Sequence, residues 1–193
     1  FLLHMKTIKT LLLAMLTMTA VSATAQTKKK IDVTKSKLSW VGKKITGEHS
    51  GTVNFRDGML NFKDNTLTGG SFTVDMNSIT VTDLKAGEGK EKLEGHLKNN
   101  DFFGVDKYDT ATLVITSATS KGNGTYAIKG NMTIKGKTNP IGFDMTVSGK
   151  TAKARFMIDR TKYDIKYGSG SFFSDLGDRA INDEFEITAN IAF

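Results

Sequence analysis

Few residues of this chain are placed to carry chemistry. Beyond the N-terminal segment only two histidines remain, His49 and His96. Neither has a second histidine or a carboxylate at ligand spacing on a clear helix, so the pattern supports no metal site. The complete absence of cysteine excludes thiol nucleophiles, cysteine-based zinc or iron–sulfur sites, and disulfides. Gly168-Ser169-Gly170-Ser171 comes nearest to a nucleophile elbow but lacks the required second spacing. The carboxylates Asp83, Glu88, Glu91, Glu94 and the Asp183-Glu184 pair sit where a solvated face would lie. None is paired for general acid–base work. No glycine-rich stretch has the βαβ surroundings of a phosphate or dinucleotide loop. The expectation is a protein without catalytic residues and without a cofactor.

Charge names no partner. The 193 residues carry a formal net charge of +7, with 27 Lys and Arg against 20 Asp and Glu. Lys28-Lys29-Lys30 is the one basic run, and the other cations are interleaved with acids, so nucleic acid is not an expected partner. From Met5 the sequence reads as a secretory signal: Lys6 and Lys9, an apolar stretch from Leu11 to Val21, then Ala23-Thr24-Ala25 as a small-x-small cleavage site. Phe1 to His4 read as a short upstream extension. Cleavage after residue 25 removes two lysines and no acids, which lowers +7 to +5. The expected product is one periplasmic or secreted domain, residues 26–193.

The elements that must position any site are strands. Apolar residues recur at period two in Val53/Phe55, Phe72/Val74/Met76, Leu113/Ile115, Met132/Ile134, Ile141/Phe143/Met145/Val147, Phe156/Ile158 and Phe185/Ile187/Ala189/Ile191/Phe193. That is the pattern of antiparallel strands covered on one face. Turn signals at Arg56-Asp57-Gly58, Lys63-Asp64-Asn65, Lys121 to Gly124 and Ser148-Gly149-Lys150 divide them, and Pro140 is expected to open a strand. Eight or nine short strands point to a barrel or a sandwich. One short helix is expected from about Glu88 to Lys98, where Leu93/Leu97 and Glu94/Lys98 are spaced by four. The segment from Arg160 to Asp183 reads as a long irregular loop.

A small barrel fills its interior with side chains or holds a ligand there. The inward phase supplies Phe55, Phe62, Phe72 and Met76 from the first half, and Leu113, Ile115, Met132 and Ile134 from the middle. Phe143, Met145, Phe156, Ile158, Phe185 and Ile187 complete it. Such a set forms either a dry core or an elongated apolar cavity.

Several strings resemble the YceI-like family of lipocalin-like, polyisoprenoid-binding proteins. They are Phe72 to Ile79, Leu93 to Tyr108, Gly130 to Ile141, Phe156 to Tyr163 and Ile181 to Ile187, with Ile31 to Gly51 matching the opening strands. The resemblance implies an all-β fold, an extended antiparallel barrel of about eight strands with one short helix. It further implies a non-catalytic envelope carrier of a long isoprenoid, a polyprenyl phosphate or a quinone, with the apolar residues above lining the channel. His96, Asp101, Arg160 and Lys162 stand at motif positions as head-group candidates, and an Asp101–Arg160 ion pair is the structural alternative. Two departures stand out: Asp109 where the family often has proline, and Glu94-Gly95 before His96. The same reading allows transient membrane contact and a homodimer. The alternative function is a stress-related secreted barrel that acts through protein contacts without lipid.

Overall fold

The structure is a computed structural model that describes residues 26–193. The export-signal reading of residues 1–25 lies outside these described residues. Nine antiparallel strands follow in chain order: β1 (Gln26–Lys30), β2 (Lys37–Lys44), β3 (Gly47–Lys63), β4 (Thr66–Val81), β5 (Thr110–Gly122), β6 (Thr125–Ile134), β7 (Lys137–Ser148), β8 (Thr151–Asp159) and β9 (Ile181–Ala192). Helix α1 (Lys90–Lys98) interrupts them between β4 and β5. Each strand from β2 to β9 pairs with the next, and β9 returns to β2, with Trp40 opposite Ile187. Eight strands therefore close on themselves, which decides for the barrel over the sandwich. Strand β1 is an addition: it pairs with the last residues of β3, Lys30 opposite Met59 and Gln26 opposite Lys63. The 17-residue β3 is thus shared, its first half with β2 and its last five residues with β1.

Three local readings change. Arg56-Asp57-Gly58 is not a turn; β3 runs through it with a bulge between Phe55 and Asp57. The small residue serves packing, because a Cβ on Gly58 would meet both Ile31 and Phe72 at 2.7 Å. The charge serves ion pairing, since Arg56 reaches Asp75 at 3.3 Å and Asp109 at 3.1 Å. Asp109, the departure from the family's proline, thereby acquires a partner. Pro140 does not open β7 but lies inside it, opposite Asn131. It is tolerated because β7 has no ladder with β8 at that level, where a missing N–H would break one. The helix starts at Lys90 rather than Glu88.

The two barrel ends differ in kind. At one end, tight hairpins join β3 to β4, β5 to β6 and β7 to β8, with positive φ at Asp64, Asn65 and Asn123 as such turns require. At the other end lie two long excursions, residues 82–109 with α1, and residues 160–180 with 3₁₀ turns at Arg160–Tyr163 and Gly177–Arg179. The hairpin end is solid: Leu60, Leu67 and Ala152 are fully buried and Ile128 nearly so.

Close approach of β3, β4 and Trp40 depends on Gly51, whose added Cβ would run into the Thr80 carbonyl and meet the Trp40 ring at 2.6 Å. Gly51→Ala is expected to lower stability by about 1–3 kcal/mol. Gly42→Ala, with nothing within 4 Å, is expected to change it by under about 0.5 kcal/mol. Urea midpoints at constant slope measure both, and equal effects would contradict the packing.

Candidate ligand cavity

The barrel interior holds an apolar cavity of about 180 Å³. Twelve of the fourteen expected inward residues wall it: Phe55, Phe72, Met76, Leu113, Met132, Ile134, Phe143, Met145, Phe156, Ile158, Phe185 and Ile187. Phe62 and Ile115 are buried but lie outside its wall. Phe62 packs on Phe193 at 5.7 Å beneath the Lys29 ammonium, 4.6 Å from its ring. Ile115 faces Gly70 and Gly130 across its two ladders. Period two reports which face a residue takes, not its depth along the barrel.

The wall also contains Leu38, Trp40 and Val53, and three residues of the first excursion, Leu97, Phe102 and Phe103. The last three follow no strand period. Their sequence signal was membership of the Leu93 to Tyr108 string and, for Leu97, its spacing of four from Leu93. Arg160, Asn182, Thr112 and the Trp40 indole N–H are the hydrogen-bonding side chains in a wall that is otherwise apolar.

The wall has a seam. The β7–β8 ladder runs only from Met145 opposite Ala154 to Ser148 opposite Thr151. Beyond it the two strands are bridged by side chains. Phe143 and Phe156 stack with centroids 4.2 Å apart and planes at 16°. The Asn139 amide donates to the Lys162 carbonyl at 2.9 Å. Both rings are half-buried, whereas Met145 and Ala154 are buried.

Arg160 ties the second excursion to the barrel. Its Nε donates to the Asn182 carbonyl at 2.9 Å, Nη1 to those of Ile165 at 2.8 Å and Tyr167 at 2.9 Å, and Nη2 to that of Ile181 at 2.9 Å. Its carboxylate partner is Asp183 at 3.6 Å, not Asp101, which is exposed. The guanidinium is 3% exposed, and burial pulls it below the ordinary arginine value against the opposing charges of Asp183 and Asp159. Burial pushes the Asp183 carboxyl up. The Ser169 and Ser171 hydroxyls and Arg160 outweigh that and hold it below the usual aspartate value.

The four head-group candidates are not brought together. Lys162 is exposed on the 3₁₀ turn, and only Arg160 reaches the cavity. His96 lies edge-on to Tyr167 at 4.5 Å and to Phe102 at 5.2 Å. Glu94, the other departure from the motif, accepts the Val81 amide at 2.8 Å and so fastens α1 to the end of β4.

A closed antiparallel barrel with an apolar interior and a helix over one end belongs to the lipocalin-like class. Residues 30–193 match the YceI-like domain, and the chain belongs to that family. A UPF0312 protein of Shewanella sp. (strain W3-18-1) is 34% identical over 64 residues, 33% of this chain and 34% of that protein. A UPF0312 protein of Vibrio cholerae serotype O1 is 32% identical over 79 residues, 37% of this chain and 42% of that protein. The chain thus aligns with well under half the length of these relatives. Among solved structures, Burkholderia cenocepacia BcnA superimposes with TM-score 0.68 at 23% identity, covering 84% of this chain and 99% of that one. A polyisoprenoid binding domain from Saccharophagus degradans, implicated in plant cell wall breakdown, gives 0.57 at 14% identity, covering 84% and 95%. These likenesses are of fold.

Two outcomes follow from the Arg160 cluster. Arg160→Met strips four main-chain carbonyls of their donor, and a loss of about 3–5 kcal/mol is expected, read from urea unfolding. Arg160→Lys should not restore it, because an ammonium cannot span four divergent acceptors. A loss under about 1 kcal/mol would contradict the role. The depressed Asp183 carboxyl contributes stability above about pH 4 that is lost as pH falls through its lower folded value. Asp183→Asn should flatten that acid limb in denaturation midpoints between about pH 2 and 6; an unchanged limb would contradict the assignment.

Proposed function

We propose that this protein binds a long-chain isoprenoid lipid non-catalytically in its barrel and carries or stores it in the cell envelope. The observation that carries this reading is the apolar cavity of about 180 Å³ inside a closed barrel. An apolar space of this order stays dry and accepts apolar guests. Each methylene transferred into it from water contributes about 0.8 kcal/mol, so a prenyl chain needs no polar contact to be held. The family membership supports the reading, as does the fold shared with a domain described as polyisoprenoid binding. The composition of residues 1–25 supports export. Phe172 and Phe173, each about half exposed on the second excursion, suit transient contact with a membrane surface during exchange. No cofactor takes part, and the polar donors of the wall's one cation are committed to main chain.

Trp40 is the chain's only tryptophan and lines the cavity, so it reports occupancy directly. Titration with geranylgeraniol should shift its emission saturably. Phe156→Glu should weaken binding by at least about tenfold, because a carboxylate is costly to bury in an apolar wall. Val114→Glu, on the outer face with Val114 49% exposed, should leave it unchanged. A wild-type protein that gives no response would favour the surface-contact alternative.

A further inference from the structure

The seam between β7 and β8 is held by side chains instead of backbone. Beyond Met145 and Ala154 the two strands share no ladder, although β7 stays paired to β6 as far as Lys137 and β8 to β9 as far as Asp159. The last residues of β4 likewise run past the end of their ladder with β5, but they are covered: α1 lies against them and Glu94 accepts the Val81 amide. Among the described residues no element covers the seam. On its outer face Gly142, Asp144 and Arg155 are exposed, and Met157 is 45% exposed. Pro140 has no N–H with which to extend the ladder. On the inner face Phe143 and Phe156, both cavity-wall residues, close the gap by stacking on each other. Further along, the Asn139 amide on the Lys162 carbonyl holds the strands together.

We propose that this seam is the door of the cavity: the isoprenoid enters and leaves between β7 and β8, with the Phe143–Phe156 stack as gate and the Asn139 amide as latch; this rests on the carrier reading above. The two barrel ends are the other routes, and both are fastened more firmly. The hairpin end is packed around Leu60, Leu67 and Ile128. Passage through the excursion end means lifting a cover that Arg160 ties at the Ile165 and Tyr167 carbonyls and Glu94 at the Val81 amide. Parting the two rings breaks no ladder bond; it needs rotation of two side chains and the loss of one amide contact. A long, thin chain can pass sideways through such a slit along its length. The seam also ends at the start of the second excursion, the segment that carries the exposed Phe172 and Phe173.

The chain has no cysteine, so a thiol lock can be built across the seam without background reaction. Continuing the register three residues beyond Met145 and Ala154 sets Gly142 against Met157, and neither lines the cavity. A Cβ on Gly142 meets only the Ile128 carbonyl, at an ordinary 3.6 Å. Gly142→Cys/Met157→Cys protein is loaded with geranylgeraniol while reduced and then oxidised. Release to excess phosphatidylcholine vesicles is followed through Trp40 emission. Oxidation should slow release at least about tenfold, and reduction should restore it. A lock in a continuous ladder, Val114→Cys/Asn131→Cys between β5 and β6, should leave release at the wild-type rate. Asn139→Ala, which removes the latch outside the cavity wall, should speed release about two- to tenfold, the span of one hydrogen bond. Release from the oxidised seam variant at the reduced rate, equal slowing by both locks, or no acceleration in Asn139→Ala would each overturn the gate and leave the carrier reading standing. A wild-type protein that takes up no geranylgeraniol would overturn the gate together with that reading.

Discussion

Closure of the sheet without complete filling of its interior is the constraint on which the rest of this structure depends. Strands β2 to β9 each find a partner on both sides, and the short β7–β8 ladder, from Met145 to Ser148 against Ala154 to Thr151, leaves the seam as the break in the wall. Eight strands enclose a space just wide enough for side chains to fill or for one small ligand to occupy. This chain does both at different depths. The hairpin end is packed solid around Leu60, Leu67 and Ile128, and the excursion end keeps a cavity of about 180 Å³. An empty apolar cavity of that size costs about 4 kcal/mol. The packed end and the strand ladders must sustain that cost, and a hydrophobic guest offsets it.

Capping the open end sets a different problem, because irregular chain laid over an apolar space brings carbonyls that need donors. One arginine meets it for the second excursion by gathering the Ile165 and Tyr167 carbonyls, with those of Ile181 and Asn182 at the start of β9, around a buried guanidinium. The first excursion uses Glu94 on the Val81 amide and an aromatic cluster of His96, Phe102 and Tyr167 that joins it to the second. The two excursions therefore form one cover. Its inner face completes the cavity with Leu97, Phe102 and Phe103.

The barrel was legible in the sequence because one-sided burial leaves a period-two trace, clearest from Phe185 to Phe193 and from Ile141 to Val147. Depth left no such trace, so Phe62 and Ile115 had the same phase as true wall residues. Arg56-Asp57-Gly58 imitated a turn because a bulge under tight packing calls for the same small and charged residues. Leu97, Phe102 and Phe103 come from helix and loop, where no strand rhythm marks an inward side chain. The role of Arg160 was illegible for another reason: its partners are carbonyls, which every residue has. The seam between β7 and β8 left only Pro140 as a sign, and a proline reads equally well as a strand start.

The central claim is that the cavity exists to hold an isoprenoid, and intact mass under native conditions tests it most directly. The protein is purified without detergent from the cells that make it. The account predicts one isoprenoid per chain, seen as a discrete excess mass that organic extraction removes and identifies. A bare-chain mass throughout, with no isoprenoid in the extract, would contradict it.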